Sequence, residues 1–129
     1  MSNRILVVED NKIVRDTLLN YINSFKVNCY AVTSGEEAVD LAEYFDLIFM
    51  NTDLPGISGV EAARRIRQRE KEKRLDPSII VATTRRQQEH ECFAAGMNDF
   101  LRKPLTRNDV GTLIDRWVLS KPRKLRLLN

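Results

Sequence analysis

Short runs of apolar and β-branched residues alternate along this chain with longer stretches whose apolar positions recur every three or four residues. Arg4 to Glu9 reads as a buried strand, and Val14, Leu18, Tyr21, Ile22 and Phe25 then place a helix over Lys12 to Ser24. Val27 to Val32 is a second strand. Ser34 with Glu37 three residues on makes a capping box that opens a helix through Ala38, Leu41, Ala42 and Phe45. Asp46 to Asn51 is the most apolar run and suits a strand covered on both faces, closed by Pro55 and Gly56. Ser58 and Glu61 cap a helix carrying Val60, Ala63 and Ile66 inward. It continues as the mixed-charge run to Arg74, expected to be solvated and to end at Asp76-Pro77. Ser78 to Thr83 is the fourth strand, Arg85 to Ala95 a helix stopped by Gly96, and Asp99 to Lys103 the fifth strand. Thr106 caps a last helix through Val110, Leu113, Ile114 and Trp117, which Pro122 breaks.

Strands and helices in this alternation require right-handed crossovers, so the expected fold class is α/β: a doubly wound, five-stranded parallel sheet with helices on both faces. Ligands in such sheets sit beyond the carboxyl ends of the strands. Asn51 and Asp53 stand at that edge, with Glu9 and Asp10, Thr83 and Thr84, and Lys103 from the neighbouring strand ends.

Composition narrows the reading further. A chain of 129 residues, 43% hydrophobic and 30% charged, suits one domain, expected over residues 1–120 with a basic tail or linker stub at 121–129. The opening apolar run is too short for a signal peptide, and no stretch is long enough for a membrane helix, so a cytoplasmic protein is expected. Cys29 and Cys92 lack any metal or redox spacing and read as reduced, packed thiols. The net charge of +3 is interleaved with acids, which makes nucleic acid an unfavoured partner. His90 reads as a solvated side chain and Trp117 as core packing.

The acidic pair Glu9-Asp10, the stretch Asp46 through Gly59, Thr83, Ala94 through Phe100, and Lys103-Pro104 together resemble the receiver domain of two-component response regulators. The resemblance spans Ile5 to about Leu119 and implies the flavodoxin-like strand order 2-1-3-4-5. It implies that Glu9, Asp10, position 51 and the Asp53 carbonyl surround Mg²⁺, that Thr83 and Lys103 meet a phosphoryl group, and that Thr83 and Phe100 act as the switch pair. A histidine kinase or phosphotransfer protein is the implied donor. An output protein or domain, met through the fourth helix, fifth strand and fifth helix, is the implied receiver of the signal, and a homodimer is compatible with this. The charged run from Arg67 to Arg74 is similar to that of receivers in hybrid sensor kinases.

One departure dominates. The phosphoacceptor position holds Asn51, and a neutral carboxamide is too weak a nucleophile to form an acyl phosphate. The module is therefore expected to signal by phosphorylation-independent protein binding, as a non-enzyme, with Mg²⁺ held weakly or not at all. Two origins stay open: a natural receiver-like module, or an ordinary receiver carrying an inactivating Asp-to-Asn change. Thr84, where the family has Ala or Gly, is a second departure and is expected to crowd the pocket. The remote rival, a Mg²⁺-dependent phosphohydrolase built on Asn51-Thr52-Asp53, lacks the same nucleophile, and a flavin or nucleotide binder lacks a phosphate loop after the first strand. Asp53 could itself lend an acid to the metal, or contribute its carbonyl alone.

Overall fold

The computed structural model describes residues 4–120, so the tail expected at 121–129 and the break at Pro122 lie outside the described residues. Five parallel strands form one sheet in the order β2-β1-β3-β4-β5: β1 Ile5–Val8, β2 Cys29–Val32, β3 Leu47–Asn51, β4 Ile79–Thr84 and β5 Asp99–Arg102. The helices are α1 Lys12–Ser24, α2 Gly35–Leu41, α3 Gly59–Lys73, α4 Glu89–Ala94 and α5 Arg107–Ile114.

Side-chain alternation along the strands sorts the core into two layers. Leu6, Val8, Ile48, Met50, Ile80 and Ala82 pack with Ala38 of α2, Val60, Ala63 and Ile66 of α3, and Cys92 of α4. Ile5, Val7, Leu47, Phe49, Val81 and Leu101 pack with Leu18 and Ile22 of α1 and Val110, Leu113 and Ile114 of α5. The central strands are buried on both faces, which is why β1 and β3 read as continuous apolar runs rather than alternating ones.

Several boundaries differ from the sequence expectation, each for a physical reason. The helix expected from Arg85 begins at Glu89, because the Thr84 hydroxyl accepts from the Arg86 amide and reaches Gln88, holding the intervening residues in a turn. The third helix stops at Lys73 with Arg74 in the left-handed region (φ 55°), before Asp76-Pro77 is reached. The second strand begins at Cys29, after Lys26 has turned the chain at φ 60°. The second helix tightens into a 3₁₀ turn over Ala42–Tyr44, and the last widens into a π turn over Asp115–Leu119.

The mixed-charge run of α3 is not wholly solvated, and this corrects the sequence reading. Glu70 is buried, its carboxylate accepting from the Ser78 amide at 2.8 Å and from Arg67 at 2.8 Å. The same guanidinium donates to the carbonyls of Gly96 and Ser78 and to Asn98 Oδ1. Burial pushes the thiols of Cys29 and Cys92 up, as fits reduced, packed side chains. His90 is exposed, and Trp117 packs beside the second core layer while its Nε1 donates to Asp99.

The close approach of α3 to the end of β3 depends on Gly59. Its amide donates to the Thr52 carbonyl at 3.0 Å, and a Cβ there would overlap the Asn51 carbonyl oxygen and come within 2.9 Å of the Thr52 Cα. Both obstacles are backbone and cannot rotate away. Gly59→Ala is expected to cost about 1–3 kcal/mol, the usual range for overpacking. Urea unfolding should show this as a lowered midpoint with an unchanged slope.

Candidate functional site

Parallel strands ending at one edge bring distant residues together. The ladder runs one residue beyond the strands, with the Glu9 amide donating to Val32, Thr52 to Thr83 and Lys103 to Thr84. Those bonds fix the backbones that carry the site. Asn51 pairs in register with Thr83, so their side chains share a face, and both are buried.

Glu9 is only 2% exposed, yet none of its charge is left without a partner. Oε1 accepts from Lys103 Nζ at 2.9 Å, while Oε2 accepts from the Asn11 amide and from Asn51 Nδ2, each at 3.1 Å. A buried carboxylate is tolerated only with such pairing. Asn11 meanwhile caps α1, its side chain accepting from Val14, and Arg15 donates back to the carbonyls of Glu9 and Asp10. The turn carrying both acids is therefore held from each end.

Asn51 stands at the centre. Its Nδ2 lies 3.1 Å from Glu9 Oε2, 3.2 Å from Asp10 Oδ1 and 3.0 Å from the Asp53 carbonyl oxygen. Its Oδ1 accepts from Lys103 Nζ at 3.1 Å and from the Asp53 amide at 3.2 Å. The surroundings dictate this orientation, because the reversed amide would set oxygen against three acceptors and nitrogen against two donors.

Asp53 splits its functions. The carbonyl faces Asn51, while the half-exposed carboxylate turns away to Arg86, 3.3 Å distant in the loop after β4. Thr84 also spends its hydroxyl on that loop. Thr83 is buried beside Asn51, and Phe100 is half-buried with its ring edge-on to Phe93, centroids 6.3 Å apart. Lys103 precedes Pro104 through a cis peptide bond. A groove of about 490 Å³, lined by residues including Ile13, Val14, Leu18, Arg85 and Leu105, runs beside it.

The structure thus brings Glu9, Asp10, Asn51, Asp53, Thr83, Thr84 and Lys103 to the carboxyl edge of the sheet, with Asn51 bonded to Glu9, Asp10 and Lys103, while Phe100 lies back along β5 and packs against the layer that holds Ala82. Sequence reasoning missed Asn11, Arg15 and Arg86; the Asn-then-helix pattern of a cap was the signal available for Asn11.

As a test for a hard divalent cation, the oxygen set is of the right chemistry: Glu9, Asp10 and the Asp53 carbonyl converge on one point. That point is taken by the Asn51 nitrogen. With the amide in this orientation Mg²⁺ does not fit that point, because an N–H donor occupies it. Among the described residues no group of three or more His, Cys, Asp or Glu side chains is arranged to hold a metal ion. No helix among them is long and apolar enough to cross a membrane.

The family model of the response regulator receiver domain matches residues 5–115. Hybrid signal transduction histidine kinase L of Dictyostelium discoideum is 31% identical over 122 residues, covering 88% of this chain and 7% of the kinase, so the chain spans a small part of that relative. Among solved structures, the co-crystal structure of the Saccharomyces cerevisiae histidine phosphotransfer protein Ypd1 with the receiver domain of its downstream response regulator Ssk1 matches with a TM-score of 0.83 at 32% identity, covering 90% of this chain and 88% of the matched one. The receiver domain of the sensor histidine kinase PA1611 from Pseudomonas aeruginosa, with magnesium coordinated in its active-site cleft, matches with a TM-score of 0.78 at 33% identity, covering 91% and 98%.

Lys103→Met tests the charge balance of the cluster. It leaves the Glu9 carboxylate buried with only neutral donors, and a loss of about 3–5 kcal/mol is expected in chemical denaturation, as for a broken buried pair. Adding Glu9→Gln should recover part of that loss, so the double-mutant cycle shows strong coupling.

Proposed function

Because this chain belongs to the response regulator receiver domain family, we propose that it is a cytoplasmic, receiver-like signalling module whose phosphoacceptor position is Asn51 and whose output is phosphorylation-independent protein binding. The observation that carries this reading is the carboxamide of Asn51, held in the middle of the Glu9, Asp10 and Lys103 cluster where the family places its reacting carboxylate.

The chemistry follows from the side chain. An ionised carboxylate attacks phosphorus with a full negative charge, and Lys and hydroxyl groups then balance the incoming oxygens. The Asn51 oxygen is neutral, and its lone pairs are engaged by Lys103 and the Asp53 amide. Attack through it would leave a cationic adduct beside an ammonium. Thr83 and Lys103 keep the positions for phosphoryl contact and Thr83 with Phe100 those of the switch, but the bond that would drive them is not made.

A partner would therefore read a fixed surface. The receiver in complex with Ypd1 supports a phosphotransfer protein or histidine kinase as one class of partner, and the groove beside Lys103, with Ile13 77% exposed at its wall, offers apolar area next to the site. The face of α4, β5 and α5, where Phe93 is 46% exposed, is the surface for an output protein or domain, or for a second copy.

A second reading is favoured by the completeness of the remaining machinery: an ordinary phosphoaspartate receiver altered only at position 51. One experiment separates the two. The protein and its Asn51→Asp form are incubated with acetyl phosphate and Mg²⁺ and assayed for acid-stable, base-labile label by mass spectrometry. The native chain is expected to remain unlabelled, and label at its residue 51 would overturn the proposal. Label on Asn51→Asp alone shows intact machinery around a missing nucleophile, as the second reading requires; label on neither shows a degenerate pocket and rules the second reading out.

A further inference from the structure

Three oxygens surround Asn51 Nδ2 at 3.0–3.2 Å, and two of them belong to carboxylates. Such a set ordinarily attracts a hard cation. Here a side-chain NH₂ group, with the partial positive charge of its two hydrogens, fills the place. We propose that the Asn51 amide is a covalently attached substitute for a divalent cation, which keeps the pocket assembled without metal and closes it to metal. The inference deepens the reading of this pocket given above, resting on its placement of Asn51 but not on phosphoryl chemistry.

The amide is locked at both ends. To face a cation with oxygen it must reverse, surrendering its bonds to Glu9, Asp10 and the Asp53 carbonyl. The same movement turns NH₂ towards the Lys103 ammonium and the Asp53 N–H, both of which are donors. Each end therefore opposes the change.

The remaining ligands are also committed. Glu9 has one oxygen on Lys103 and the other on Asn11 and Asn51. The Asp53 carboxylate has been drawn out to Arg86. Among the described residues that leaves Asp10, exposed and bonded only by Asn51, as the one carboxylate facing the site without a cationic partner, and a single carboxylate holds Mg²⁺ poorly in water. Meanwhile one amide links the turn after β1, the loop after β3 and the residue after β5. A cation would otherwise tie these segments together, so their mutual placement here is independent of metal concentration.

The test uses the full chain and Asn51→Asp, titrated separately with Mg²⁺ and Mn²⁺ while thermal unfolding and heat of binding are recorded. The native chain should show no saturable heat and no rise in unfolding midpoint with metal. Asn51→Asp should start lower in chelator, where a third carboxylate joins Glu9 and Asp10, and recover as metal is added, with affinity at least about tenfold tighter than the native chain. Saturable binding by the native chain within tenfold of the variant overturns the proposal, and so does a variant as stable as the native chain in chelator. Should Asn51→Asp fail to fold without metal, the side-chain amide resonances of Asn51 in the native chain decide: unmoved by Mg²⁺ they support the lock, shifted saturably they refute it. Failure here is distinct from failure of the functional reading, which only phosphoryl label on the native residue 51 brings about.

Discussion

The contact between Lys103 and Glu9 is the constraint on which the site depends. It joins residues 94 apart in sequence, one following the interior strand β1 and the other following the edge strand β5. Both side chains are nearly removed from water, at 10% and 3% exposure, so neither charge could remain there alone. Their mutual neutralisation is what allows a carboxylate to sit at the floor of the pocket. Asn51 bonds both members of that pair.

Asn51 completes the arrangement because it is neutral overall and bipolar locally. Glu9 and Asp10 bring two negative charges against the one positive charge of Lys103, and a third carboxylate would leave the cluster needing a cation from solution. A carboxamide removes that need by offering donors to the acids and an acceptor to the lysine. The same polarity that satisfies the pocket removes its nucleophile. Stability without metal and loss of phosphoryl chemistry, as proposed above, would then be two results of one side chain.

Much of this was legible in sequence where the signal is local. The apolar run of β3, the caps at Ser34, Ser58 and Thr106, and Gly96 at φ 97° each follow from neighbouring residues, and the structure has them as expected. The gathering of Glu9, Asp10, Asn51 and Lys103 followed from strand-end topology and family resemblance. What was not legible depends on partners far along the chain. The solvated reading of the α3 charge run failed at Arg67 and Glu70, because their bonds go to Ser78, Gly96 and Asn98. Likewise, sequence indicated that position 51 had lost a charge, but not which end of its amide would face the acids.

Thr84 shows how the surface beyond the site can hold its shape without a signal from within it. Its hydroxyl accepts from the Arg86 amide at 3.0 Å and bonds Gln88 at 3.0 Å, which delays α4 to Glu89 and aims Arg86 at Asp53 across the mouth of the pocket. At the far end of α4, Gly96 and Asn98 are held by Arg67, whose guanidinium is fixed in turn by buried Glu70. The segment from Arg86 to Asn98 is therefore anchored at both ends by bonds that involve neither Asn51 nor Lys103. The position of this loop is set by threonine, arginine and the backbone.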